Sequence, residues 1–496
     1  MRINSFLKTL LTPQAALIAG LLFFVIAKLY LLFLHHDIRW DEAVYLNMGK
    51  YVFSQGAQGF WETLRPPLWP LLLGFFWLVG DAVLLGEITM ALVGIAAPVI
   101  MYFALREYIN EWLASGAALL LLFSSIWFWN SSMLMTGVLS AALIILSYYL
   151  HQKERYTLSG LVAAAAFLTR FPAGMGFAAL MVTHLVLVWR NAATFSLRTL
   201  IPGIKTGLGF SIPVVMWLGI NAYIFREQGL VRGALAPLIQ GSGNVFFDNT
   251  WLHNTEPLFY FAHLALFLPI TIFALFAFPQ LKKHPQLIPY GFLAIFTLVF
   301  FTVLPNNQWR FALLIIPGLI VLATLGITQL AKRPKILGLL TALLFVNVLL
   351  LAVYDASIIS HRGPEPSHIE TEYYTFLIEY PVNGTILVSD PVVAWYAPNP
   401  VRMLYYEFLY NHQEYFAQEA AAVFFVPRNL PCHPEDRRCI IQRQIVTQHL
   451  VQHYALVHTA ELHGYKYFIF SNQIDLPAQD TEQVFDELTY VLSNPQ

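Results

Sequence analysis

The stretch best equipped for chemistry is His35-His36-Asp37-Ile38-Arg39-Trp40-Asp41-Glu42-Ala43-Val44-Tyr45, which leads through Glu62-Thr63-Leu64-Arg65 to Pro66-Pro67-Leu68-Trp69-Pro70. It follows directly on the apolar run Ala15–Leu34. Carboxylates and guanidiniums beside such a run are costly unless they face water or a polar cavity. Asp41 stands between Trp40 and the apolar Val44 and Leu46, a setting that can desolvate a carboxylate and tune it as a general base. If the segment is helical, Asp41 and Tyr45 share a face, while Asp41 and Glu42 diverge. The plainer reading is a solvated loop in which Asp or Glu caps a helix.

The surrounding elements must hold these groups at a membrane. The chain has 496 residues, is 57% hydrophobic and only 11% charged, against about 25% charged in soluble proteins. That composition excludes a disordered or nucleic-acid-binding protein. Apolar runs recur over Ala15–Leu34, Val83–Leu105, Leu113–Trp129, Met133–Leu150, Leu158–Leu168, Pro172–Trp189, Ile204–Phe225, Pro257–Phe278, Leu287–Leu304, Phe311–Leu330 and Ile336–Tyr354, about eleven spans in all. With the N-terminus inside, the short inner segments hold 13 of the 21 Lys and Arg of residues 1–354, as the positive-inside rule requires. That parity makes Pro67–Val79 interfacial or re-entrant and makes Leu158–Trp189 a helical hairpin broken at Arg170-Phe171-Pro172. It also places the large segments His35–Pro66, Arg226–Glu256 and everything after Tyr354 outside. Mid-span charge is confined to Lys28, which either snorkels or faces a cavity, and Glu87. No Gly-Lys-Ser/Thr phosphate loop is present, so nucleotide hydrolysis is not expected to drive the protein.

Two domains are expected, a membrane domain over residues 1–354 and an extracytoplasmic domain over 355–496, whose 7 basic and 17 acidic residues contrast with 21 and 12 in the first. In the second, Thr385–Ser389, Arg402–Tyr406, Ala421–Val426, Tyr454–Glu461 and Tyr467–Phe470 are predicted as strands. Ile369–Glu379, Asn411–Ala420 and Cys439–Val451 are predicted as helices, so the fold is a small α/β domain with a partly parallel sheet. The only cysteines, Cys432 and Cys439, share one loop, and an external location permits a disulfide across them, the alternative being two free thiols.

The long first outer loop with Asp41-Glu42, Tyr45 and Pro66-Pro67-Leu68 resembles the GT-C membrane glycosyltransferases related to the protein O-mannosyltransferases and the aminoarabinose transferase of lipid A, a glycosyltransferase family 39-like group. Leu168-Thr169-Arg170-Phe171-Pro172 is similar to that family's Leu-Thr-Lys hairpin. Gln308-Trp309-Arg310 and the downstream Pro317 are similar to its Arg-Tyr before a late span. The resemblance implies a sugar donor carried on a polyprenyl phosphate, with Asp41 as catalytic base for an inverting attack by an acceptor hydroxyl. It implies that Glu42 positions the acceptor or a divalent metal held with Asp41, although no cofactor is certain. Arg65, Arg170 and Arg310 then bind the donor phosphate, which guanidiniums grip bidentately; their plainer role is to anchor the protein at the interface. Tyr45, Asp248 and His253 are candidates for substrate binding, the last two from a second outer loop that otherwise only connects.

Two departures from the family pattern stand out. Thr136-Gly137 occupies the place of a Thr-Asp pair, which puts metal dependence in doubt, and Arg65 and Arg170 replace His and Lys. The sequence thus predicts a cell-membrane hexosyl- or pentosyltransferase whose acceptor is a protein, a lipid or a glycan. The competing readings are a transporter or lipid flippase, and a non-catalytic receptor.

Overall fold

The computed structural model describes residues 12–33, 38–62, 65–190, 197–224, 226, 231, 233–235, 260, 264, 269–303, 308–331, 334–361, 368–404, 419–429, 437–462 and 464–493. Its helices in chain order are α1 (Pro13–Phe33), α2 (Trp40–Phe53), α3 (Leu68–Val79), α4 (Ala82–Leu105), α5 (Glu111–Leu122), α6 (Ser125–Asn130), α7 (Thr136–Gln152), α8 (Tyr156–Thr169), α9 (Gly174–Arg190) and α10 (Leu197–Ile224). They continue with α11 (Phe278–Lys283), α12 (Ile288–Val303), α13 (Ile316–Leu330), α14 (Pro334–His361), α15 (His368–Glu379), α16 (Pro391–Tyr396), α17 (Arg437–His453) and α18 (Glu482–Ser493). Among the described residues, six helical segments are long and apolar enough to cross a membrane, within α1, α4, α9, α10, α12 and α14. Helices α3, α5, α8 and α13 are shorter apolar helices. The protein is a multi-pass membrane protein.

Several expected spans are interrupted, each for a local reason. Leu113–Trp129 divides into α5 and α6 because Ser124 takes an extended conformation and its hydroxyl bonds back to the Leu121 carbonyl at 2.9 Å, the competition with helix geometry typical of serine. The expected hairpin break falls at Arg170, which is extended (φ −156°, ψ 116°) before a short 3₁₀ turn, Phe171–Ala173; Pro172 has no N–H to continue the helix through the Leu168 carbonyl, and its ring would clash with that turn. The run Phe311–Leu330 starts as a 3₁₀ turn, Trp309–Leu314, and becomes helical at α13, where Pro317 sits in the first turn and its missing N–H costs nothing. The last span does not stop at Tyr354 but continues to His361. Most of Pro257–Phe278 lies outside the described residues.

The chain divides into two compact units. The first comprises residues 1–35, 63–69 and 84–363, and is a helical assembly. Its buried polar side chains are matched across helices: Ser147 and Ser159 exchange hydrogen bonds with each other's carbonyls at 2.8–2.9 Å, Tyr148 donates to the Gly176 carbonyl at 3.0 Å, and Trp127 donates to that of Gly94 at 3.0 Å. In an apolar medium such internal satisfaction is required, since no water replaces a lost partner.

The second unit comprises residues 36–62, 70–83 and 364–496, so a segment before α4 joins the C-terminal region that a linear division at residue 354 leaves separate. It is built on a five-stranded sheet of β1 (Ile386–Val388), β2 (Val401–Met403), β3 (Ala422–Phe425), β4 (Leu456–Leu462) and β5 (Tyr465–Phe470), in the order β2-β1-β3-β5-β4. The first three strands are parallel and the last two antiparallel, as the pattern of helices and strands predicts. Alternate residues divide between two cores: Ile386, Val388, Phe424 and Ile469 face one way with Val44, Met48 and Phe60, and Leu387, Val423, Phe425 and Phe468 face the other with Val446 and Leu450 of α17 and Val484 of α18. The region Asn411–Ala420 is described only from residue 419 onward.

Candidate active site

Helix α2 carries the first group of predicted residues. It begins immediately after Arg39, whose backbone N–H donates to Glu42 Oε2 at 2.8 Å. This is one half of a capping box; a guanidinium has only donors and cannot supply the other half. Glu42 is fully buried, so its carboxylate is committed to starting the helix. Asp41 is half-buried in the first turn, and Tyr45 follows one turn later, 7% exposed. The conditional expectation that the two share a helical face is met.

What seats this helix is the sheet domain. Val44, Met48 and Phe60 belong to the core on one sheet face, with Trp40 and Trp61 packed against it. Asn47 donates to the Pro391 carbonyl at 2.8 Å, and Lys50 donates to the carbonyls of Trp395 and Ala397, both at 2.9 Å. Helix α16 is thereby held near both ends, while Asp390 caps its start by accepting from Val392 N–H at 2.9 Å. Burial pushes the Lys50 ammonium down to about 8. On the other side α2 and α3 are in backbone contact: a Cβ at Gly49 would lie 2.5 Å from the Pro70 carbonyl oxygen, and one at Gly74 2.6 Å from that of Gly49. Only glycine permits this approach.

In the membrane unit, Arg170 and Arg310 converge on a single ring. Their guanidinium carbons lie 5.1 Å and 5.9 Å from the centre of Phe311. Arg310 Nη1 also lies 3.7 Å from the Met135 sulfur. A guanidinium stacked on an aromatic face keeps its N–H edge for other partners, so two of them about one ring form a site suited to an oxyanion such as phosphate. Gly137 makes room for it: a Cβ there would meet Leu313 Cδ1 at 2.4 Å and Arg170 Nη1 at 3.3 Å. Arg65 belongs to the same unit and is half-buried in the turn before α3.

Asp248, His253 and Cys432 lie outside the described residues. Cys439, at the start of α17, is disulfide-bonded. Among the described residues no group of three or more His, Cys, Asp or Glu side chains can hold a metal ion. No step is assigned to a metal.

Sequence reasoning missed Asn47, Lys50 and Asp355. The first two act through contacts with residues more than 300 positions away, beyond any local signal. Asp355 ended the hydropathy run, although the apolar pattern resumes at Ala356, Ile358 and Ile359 and marks it as intrahelical.

No protein-family model and no curated protein sequence matches the chain. Among solved structures it is similar to ArnT from Cupriavidus metallidurans bound to undecaprenyl phosphate, with a TM-score of 0.60 and 13% identity, covering 94% of this chain and 98% of that one. It is also similar to ArnT from the same organism in the apo state, with a TM-score of 0.55 and 13% identity, covering 92% and 98% of the two chains. The fold is therefore the GT-C-like fold with a C-terminal sheet domain that the sequence resemblance implies.

Proposed function

We propose that the protein is a membrane glycosyltransferase that moves a sugar from a polyprenyl-phosphate donor to a hydroxyl on a protein, lipid or glycan acceptor at the outer face of the cell membrane. The observation that carries this reading is the pair of guanidiniums about Phe311, in a fold shared with a protein crystallised with undecaprenyl phosphate. Arg170 and Arg310 bind the donor phosphate, with Arg65 as a third cation. Asp41 removes the proton from the acceptor hydroxyl as its oxygen bonds to the anomeric carbon. The bond from that carbon to the phosphate oxygen breaks, the lipid phosphate leaves with the electron pair, and the anomeric configuration inverts. Tyr45 lines the acceptor path, and Asp248 and His253 complete substrate binding.

The test is transfer by purified protein from radiolabelled polyprenyl-phosphate hexoses and pentoses to an extract of the host envelope. Asp41→Asn should lower turnover by about 10²–10⁴-fold, the range for a general base, with unchanged thermal unfolding. A folded protein that neither transfers nor hydrolyses any of several donors would refute the reading.

A further inference from the structure

The turn between α7 and α8 holds one residue in a costly backbone conformation. Helix α7 ends in a Schellman closure, in which the Glu154 N–H donates to the His151 carbonyl at 3.0 Å and the Arg155 N–H to that of Leu150 at 2.9 Å. The closure sets Glu154 at φ 60°, one of two non-glycine residues with positive φ among those described. Glycine is the usual occupant of such a position, because a Cβ is penalised in the left-handed region. No contact of the glutamate side chain offsets that cost. It is exposed, and its carboxylate makes no hydrogen bond or ion pair among the described residues, whereas the neighbouring Lys153 is paired with Glu107. A strained residue where glycine would serve the fold better points to a role outside folding.

Glu154 lines a cavity of about 280 Å³ in the membrane unit, together with His151 and Gln152 from the end of α7, Tyr156 from the start of α8, and His184 and Val188 from α9. The start of α10 and the turn before α12 complete it. Its walls thus come from one set of helix ends, on the side that the Lys and Arg distribution predicts as inner, which is the depth of lipid headgroups. Ligand pockets of about 300–1,000 Å³ serve drug-sized molecules, so this smaller volume suits one headgroup. The wall is polar, since His151 Nδ1, Gln152 Nε2 and His184 Nε2 have no hydrogen-bond partner, and an acyl chain would leave it unmatched. Charge narrows the chemistry further. Among the described residues no Lys or Arg lines the cavity, so an anion would meet only the Glu154 carboxylate and be repelled. No group of three metal-ligating side chains is present among them either. A quaternary ammonium has no N–H and calls for an aromatic cage, whereas Tyr156 is the only Phe, Tyr or Trp in the described lining. What fits an unpaired carboxylate in a polar cavity is a cation that donates hydrogen bonds.

We propose that this cavity binds the primary ammonium of an ethanolamine phospholipid, whose N–H groups donate to the Glu154 carboxylate. The headgroup depth of the cavity favours the lipid over a free amine. The proposal is independent of glycosyl transfer, and either can fail without the other.

The experiment uses the full chain in dodecyl maltoside micelles, an uncharged detergent without an amine. Lysophosphatidylethanolamine, lysophosphatidylcholine, lysophosphatidylglycerol and free ethanolamine are titrated in turn, read by calorimetry and thermal unfolding. Lysophosphatidylethanolamine should bind saturably and about tenfold or more tightly than the other three, the worth of one charge-assisted hydrogen bond. Glu154→Gln, which keeps the shape and the backbone strain, should weaken it by a similar factor. Glu154→Gly should weaken it as much while raising the unfolding temperature, which a purely structural role for the side chain would lower. Val188→Trp, which fills the cavity from α9, should abolish binding; if it fails to fold, the two Glu154 variants decide. Equal binding of the three lipids, a preference for the choline or glycerol headgroup, binding unchanged in Glu154→Gln, or a lowered unfolding temperature in Glu154→Gly would overturn the proposal. Free ethanolamine binding as tightly as the lysolipid would overturn its lipid source.

Discussion

The guanidiniums of Arg170 and Arg310 share the Phe311 ring, and their geometry matters as much as their charge. Replacing Arg170 with Lys keeps the charge but loses the planar fork and the stacking. The donor KM should rise about tenfold or more while the protein stays folded, measured by initial rates over a range of donor concentration. Gly137→Asp would place a carboxylate beside Arg170 Nη1, which would lie 3.3 Å from a Cβ at that position. Donor KM should rise more than in Gly137→Ala, which tests the clash with Leu313 alone; equal effects would mean that sterics account for everything. Glu42 offers the opposite contrast to Asp41. Because its carboxylate caps α2 through the Arg39 N–H, Glu42→Gln keeps the acceptor oxygen and should retain most turnover, whereas Glu42→Ala should cost about 1 kcal/mol of stability, the usual worth of a cap. At this scale the sequence identified the residue types. That Arg170, in the break after α8, meets Arg310 and Phe311, in the turn before α13, was not legible, because nothing local encodes a contact across the fold.

Among the elements, the break at Arg170 could be read from Pro172, and the strands from their alternating apolar residues, because both follow from local backbone sterics and pleat. Helix α16 could not. Its six residues, Pro391–Tyr396, are held by caps and by α2, not by any periodic pattern. Lys50 is the main clamp, and its titration gives a pH signature. Burial lowers its folded value from 10.5 to about 8, so between about pH 8 and 10.5 the unfolded chain binds the proton and the folded chain does not. Stability therefore rises with pH across that window, by up to about 3 kcal/mol at 1.36 kcal/mol per unit, and the neutral amine still donates to the two carbonyls. Lys50→Met should flatten the pH dependence of thermal unfolding between pH 8 and 10.5 and lower stability through the two lost hydrogen bonds. A slope unchanged by the substitution would assign it to other groups.

For the whole molecule, the distribution of Lys and Arg predicts an orientation that fusion reporters can test. Alkaline phosphatase joined after Gln496 should be active, and the same reporter joined after Lys335 should be inactive; the reverse would invert the topology and move Asp41 to the inner face. Hydropathy, charge and short motifs determined by themselves that this is a multi-pass membrane protein with a small partly parallel α/β domain at its C-terminal end, and the motifs pointed to its GT-C-like fold. Those properties follow from burial and local backbone geometry, which are written along the chain. Only the tertiary structure decided that helix α2, bearing Asp41, is built into the core of that C-terminal domain through Val44, Met48, Asn47 and Lys50, and that Asp355 lies buried within α14 instead of ending a helix. Both outcomes depend on which apolar faces and polar groups find one another across hundreds of residues, and that pairing is set by packing and hydrogen-bond satisfaction in three dimensions.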